Sequence, residues 1–123
     1  MRVALVIEDD TETRMALRAV LLRAGYGVCE GFSADLIPFT PGLDVIVSDV
    51  VTEPDPAVIR EWTQSLWDRL GVRVVLVTGR SAVVAAGAEA LGAADVIMKP
   101  FDVDDLVARV ERVARERERP RAA

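Results

Sequence analysis

The sequence predicts an open, doubly wound α/β domain, a five-stranded parallel sheet with helices on both faces. Three observations lead there. Short Val/Ile/Leu-rich runs are apolar at successive positions, as strands covered on both sides are. Between them stand segments whose apolar residues recur every three or four positions, the helical period. The two kinds of segment alternate through the 123 residues with no internal repeat and no linker, and such alternation builds a parallel sheet between helix layers.

The first run, residues 2–7, ends at Glu8-Asp9-Asp10. A helix is expected over 11–24, with Leu17, Val20, Leu21 and Ala24 on one face, Thr11 as N-cap and Gly25 as the stop. A second strand is expected over 27–32. Pro38 and Pro41 fall within 33–42, so only about one helical turn fits there, before Pro38. The third strand, 44–48, ends at Asp49. A loop rich in Pro and acids follows, and then a helix over 57–70 with Ile59, Trp62, Leu66 and Leu70 inward and Gly71 as its stop. Trp67 falls off that stripe; a ring lying across the edge of the core is preferred over an exposed contact. The fourth strand, 72–77, ends at Thr78-Gly79. An Ala-rich helix over 81–91 is weakened by Gly87. The fifth strand, 94–98, ends at Lys99-Pro100. A final helix starts at Val103 behind Asp102, and the tail 120–123 is expected to be disordered.

Composition narrows the chemistry. Net charge is −5, which disfavours nucleic-acid binding by this domain. With no His and a single Cys29, imidazole catalysis and zinc sites of the usual kind are excluded. No apolar run approaches the ~20 residues of a membrane span. The lone cysteine and the lack of a signal peptide point to the cytoplasm. Of 15 basic residues, only Lys99 is lysine. It marks either chance or a place that needs a compact ammonium on a flexible stem.

Ligands in doubly wound sheets sit beyond the carboxyl ends of the strands, near the switch point in strand order. Those ends carry Glu8, Asp9 and Asp10, then Asp49, Thr78 and Lys99. Taken singly, each has an ordinary explanation. Acids between strand and helix are commonly caps, Asp49 is a turn residue, Thr78 an unremarkable strand end, and Lys99 a surface cation. Taken together they make a hard-cation site beside a carboxylate nucleophile. Thr78 and Lys99 then supply a hydroxyl and a cation for a phosphoryl group, and Gly79 leaves room for it.

Four motifs, Val6-Ile7-Glu8-Asp9-Asp10, Asp44-Val45-Ile46-Val47-Ser48-Asp49, Leu76-Val77-Thr78-Gly79 and Met98-Lys99-Pro100-Phe101, resemble the receiver domain of bacterial two-component response regulators, the CheY-like family. The resemblance covers residues 1–119. It implies a flavodoxin-like sheet of order 2-1-3-4-5 and phosphorylation of Asp49 from a histidine kinase or phosphotransfer protein. It implies Mg²⁺ held by Glu8, Asp9, Asp49 and the backbone carbonyl of Val51. Thr78 and Lys99 would grip the phosphoryl group, the Lys99-Pro100 peptide would be cis, and Val51 and Arg80 would tune hydrolysis. Such a domain is a signalling switch, not an enzyme beyond its own phosphorylation and dephosphorylation. Its output would pass to a downstream protein or to an effector domain outside this chain. A homodimer is left open, with no heptad or apolar patch to support one.

The sequence departs from the family pattern in places. Val96 stands where an aromatic switch residue is usual, and Glu53 where a proline is common. Asp9 and Asp49 are 40 positions apart (49 − 9), a few short for the family. These departures keep alive a degenerate receiver that binds partners without phosphorylation. A haloacid-dehalogenase-like phosphatase would need an acid where Val51 stands. A nucleotide-binding module would need a glycine-rich loop after the first strand.

Overall fold

The computed structural model describes residues 1–31 and 42–117. The expected helical turn between 33 and 39, the domain end at 119 and the tail at 120–123 lie outside the described residues. Five strands, β1 (Val3–Ile7), β2 (Gly27–Gly31), β3 (Val45–Ser48), β4 (Val74–Thr78) and β5 (Asp95–Met98), form one sheet of order β2-β1-β3-β4-β5. Every neighbouring pair is parallel, as the doubly apolar runs predict.

Side chains alternate across the sheet, so each strand feeds two cores. Ala4, Val6, Val45, Val47, Val75 and Val77 face one way, onto Leu17 and Leu21 of α1 (Thr11–Arg23) and Leu106, Val110 and Val113 of α5 (Val103–Arg117). Leu5, Ile7, Ile46, Val74 and Leu76 face the other way. They meet Ile59 and Leu66 of α2 (Pro56–Leu70), Val83 of α3 (Ser81–Ala86) and Leu91 of α4 (Ala88–Leu91). Among the described residues no helix is long and apolar enough to cross a membrane.

The helix ends follow local chemistry, with two corrections. The N-cap of α1 is Asp10 and not Thr11: Asp10 Oδ2 accepts the Thr13 N–H at 2.9 Å and the Thr13 hydroxyl at 2.6 Å. The carboxylate one residue earlier thus satisfies an otherwise orphaned N–H of the first turn and holds the Thr13 hydroxyl as well, with Asp10 itself in extended backbone as an N-cap requires. The Ala-rich helix is two pieces. Gly87, at φ +84° and ψ 153°, adopts backbone that only glycine takes readily, and it separates α3 from α4. Asp102 caps α5 through the Asp105 N–H at 3.0 Å, and Gly71 ends α2 with φ +63°, both as expected. Trp67 is 44% exposed and does not lie across the core; the Arg73 guanidinium stands 5.9 Å from its ring centroid.

One close packing point joins α2 to α4. The Thr63 hydroxyl donates to the Leu91 carbonyl at 2.8 Å. Gly92, at φ +65°, passes so near that a Cβ there would collide with Thr63 Oγ1. Gly92→Ala is expected to cost about 2–4 kcal/mol, combining left-handed strain with overpacking. Gly25→Ala, where a Cβ meets nothing within 4 Å, should cost only the strain, about 1 kcal/mol. Urea unfolding of both variants checks this, and equal losses would remove the steric part of the argument.

Candidate functional site

The sheet brings three strand ends to one place through the last rungs of its ladders. Ile7 pairs with Ser48 across β1 and β3, so Glu8 and Asp49 are the next residues out on adjacent strands. The Asp49 N–H donates to the Ile7 carbonyl at 3.0 Å, and the Glu8 N–H donates to the Gly31 carbonyl at 3.1 Å. Across β4 and β5, Thr78 pairs with Met98, and the Lys99 N–H donates to the Thr78 carbonyl at 2.8 Å. β1 and β3 flank the point where strand order reverses, the usual place for a ligand in this architecture.

Carboxylate oxygens of Glu8, Asp9 and Asp49 all lie within 4.8 Å of one another. Lys99 bridges two of them, with Nζ 2.9 Å from Glu8 Oε2 and 3.1 Å from Asp49 Oδ2. The second oxygen of each acid is also used. Glu8 Oε1 accepts the Asp10 N–H at 3.2 Å, and Asp49 Oδ1 accepts the Val50 N–H at 2.7 Å. The Glu8 side chain is 1% exposed, that of Asp49 26% and that of Lys99 23%. Asp9 is the exposed member of the set.

Burial dominates the titration of Glu8. It pushes the carboxyl above its ordinary value of 4.5, and the hydrogen bonds from Lys99 and the Asp10 N–H recover only part of the shift. For Lys99, burial works against the charge, but hydrogen bonds to Glu8 and Asp49 outweigh it and hold the ammonium above its ordinary 10.5. Asp10 is held below its usual range, chiefly by the Thr13 hydroxyl. Three mutually repelling carboxylates with oxygen-only donors fit a small hard divalent cation such as Mg²⁺, which takes few protein ligands and keeps several waters.

Several solved structures share this fold. Full-length FixJ from B. japonicum superposes with a TM-score of 0.75 at 31% identity over 95% of this chain. The chain spans 59% of FixJ. The signal receiver domain of a signal transduction histidine kinase from Syntrophus aciditrophicus gives 0.78 at 24% identity, covering 100% of this chain and 97% of that one. The BeF3-activated DrrB receiver domain gives 0.70 at 28% identity, covering 94% and 98%. The fold is that of a response-regulator receiver domain. No family model matches the chain, and neither does any curated protein.

Not every residue expected in this site is gathered into it. Thr78 is fully buried, and its Oγ1 accepts the Arg80 N–H at 3.1 Å. No hydrogen bond joins its hydroxyl to the side chain of Asp49 or Lys99 among the described residues. The Arg80 side chain is exposed at the rim, and Gly79 has open space where a side chain would stand. Val51 is half-buried against the core beneath α2. Val96 packs on that same core, and its carbonyl accepts Arg109 Nη1 at 3.4 Å. Asp95 beside it is held by Arg109 and Arg112, each at 3.0 Å, so β5 is tied to α5 at this position. The Lys99-Pro100 peptide is cis.

Sequence reasoning passed over Arg14, whose Nη1 donates to the Glu8 carbonyl at 2.8 Å. The available signal was electrostatic: a cation near a helix N-terminus opposes the helix dipole and needs a local reason.

The raised Glu8 value sets a pH dependence. Folded Glu8 binds its proton more tightly than unfolded Glu8 does. The stability this gives is full below about pH 4.5 and is lost as pH rises through the higher folded value. Lys99→Met removes the nearest cation and should deepen that loss, by about 1–3 kcal/mol near neutral pH. Urea unfolding in EDTA from about pH 5 to about pH 8 measures it. Parallel wild-type and variant curves would show that Lys99 does not support the ionised carboxylate.

Proposed function

We propose that the chain, over residues 1–119, is the phosphoacceptor receiver domain of a two-component phosphorelay, with Asp49 as the phosphorylated residue. The observation that carries this reading is Lys99 Nζ held between Asp49 and buried Glu8, with Asp9 beside them. A carboxylate at a strand end, a cation on it and an adjoining acidic set are what aspartyl phosphorylation needs from the protein.

Glu8, Asp9, Asp49 and the Val51 carbonyl would hold Mg²⁺, Lys99 and Thr78 would meet the phosphoryl group, and Arg80 would stand at its outer side. When bound, the ion supplies positive charge for the oxygens of the transferring group. An Asp49 carboxylate oxygen attacks the phosphorus of a phosphohistidine on a kinase or phosphotransfer protein. The P–N bond breaks, its electron pair stays on the imidazole, and an acyl phosphate forms. Lys99 is placed to follow the new negative charge. Thr78 accepts from Arg80 through its oxygen, which leaves its hydroxyl proton to donate to a phosphoryl oxygen. No ring stands at position 96 to follow Thr78, and Arg109 ties that stretch of β5 to α5. Output to a downstream protein, or to a further domain of a longer regulator, therefore does not run through an aromatic switch. The other reading, a degenerate receiver that only binds partners, gains nothing from three carboxylates within 4.8 Å of one another with a lysine bridging two of them.

Incubation with acetyl phosphate and Mg²⁺ should add the mass of one phosphoryl group. Asp49→Asn or excess EDTA should abolish the addition. An unlabelled wild type overturns the proposal.

Val51 stands two residues after Asp49, where an apolar side chain would hinder the approach of water to an acyl phosphate, so the phosphorylated form should persist. Loss of the added mass after removal of the donor measures this, and a half-life of seconds would contradict it.

A further inference from the structure

Arg14 belongs to none of the roles above, yet it grips the acidic loop twice. Its Nη1 donates to the Glu8 carbonyl at 2.8 Å, and its backbone N–H donates to the Asp10 carbonyl at 2.9 Å. Asp9 lies between those two anchored residues. The peptide group before Asp9 is held at its carbonyl end by Arg14. The peptide group after it is held at its N–H end by Glu8 Oε1, at 3.2 Å. Beyond that, Asp10 is fixed by its cap on Thr13. The Asp9 carboxylate itself is exposed and makes no hydrogen bond or ion pair of its own among the described residues. Its direction is therefore set by the backbone on either side.

We propose that Arg14 is a positioning residue for divalent-cation binding: by holding the Glu8 carbonyl it fixes the Glu8–Asp9 peptide plane and so aims the Asp9 carboxylate at the cation. This rests on the reading that Glu8, Asp9 and Asp49 hold Mg²⁺. In this role Arg14 acts through the Glu8 carbonyl and not as a ligand of the ion. Groups that orient metal ligands commonly alter affinity about ten- to hundred-fold when lost.

The sign of the effect separates positioning from simple charge. A guanidinium next to a cation site repels the cation, so removing it on electrostatic grounds alone should tighten Mg²⁺ binding. Removing a positioning group should weaken it. Calorimetric titration of the whole chain with MgCl₂ reads this directly, with unfolding in EDTA recorded in parallel.

Arg14→Met is expected to weaken Mg²⁺ binding about tenfold or more, at a temperature where the variant is fully folded. Affinity that is unchanged or tighter overturns the proposal. A variant that loses stability in EDTA but keeps wild-type affinity overturns it too, because Arg14 would then be merely structural. Should Arg14→Met fail to fold, Arg14→Lys decides: the charge is kept, so any weakening is positional, and wild-type affinity overturns the proposal. A wild type that binds no Mg²⁺ instead overturns the metal-site reading beneath it, a result distinct from variants that fail to differ.

Discussion

Three backbone hydrogen bonds carry the arrangement of this molecule. They run from Glu8 to Gly31, from Asp49 to Ile7 and from Lys99 to Thr78. Each is the last rung of a parallel ladder, and each delivers a charged residue just past the end of its strand. A parallel register fixes all strand ends on one edge, so the sheet gathers in space three residues far apart in the chain. Slipping one strand by one residue would send its charge to the opposite face and its apolar set out of the core. The register is thus enforced by both hydrophobic layers at once, and the charged edge inherits their rigidity.

That rigidity is what permits an unfavourable charge arrangement. Two carboxylates that share an ammonium, with a third beside them, repel one another, and Glu8 is also almost completely removed from water. Burial of such a group is tolerated because its two oxygens each have a partner and because the strands that present it are locked by fully buried Ile7 and Ile46. The site is held by the fold and is a cost to it, a common relation between chemistry and stability.

Much of this was legible in the sequence, for a physical reason. Doubly buried strands leave an unmistakable apolar run, and the polar residue that ends each run has to lie at the sheet edge. Asp49, Thr78 and Lys99 could therefore be placed without knowing any contact. Four kinds of detail were not legible. Capping depends on one dihedral, which is how Asp10 displaced Thr11. A glycine inside a helical pattern reads as a weak spot, whereas Gly87 takes a conformation that ends one helix and starts another. Trp67 sits off the apolar stripe, and an exposed ring beside Arg73 cannot be told from an edge packing by spacing alone. Arg14 was missed because its partner is a main-chain carbonyl, which no side-chain pattern reveals.

The use of arginine for every basic residue but one has a practical side. Arginine guanidinium does not deprotonate under ordinary conditions, so the chain's amine chemistry is confined to its α-amino group and Lys99 Nζ. An amine-selective reagent applied to the folded protein thus has a single side chain to address, and that side chain stands between Glu8 and Asp49. Its reactivity becomes a gauge of how firmly those two acids hold their counter-ion. The same scarcity means that acylation of one atom would strip the pocket of its only ammonium.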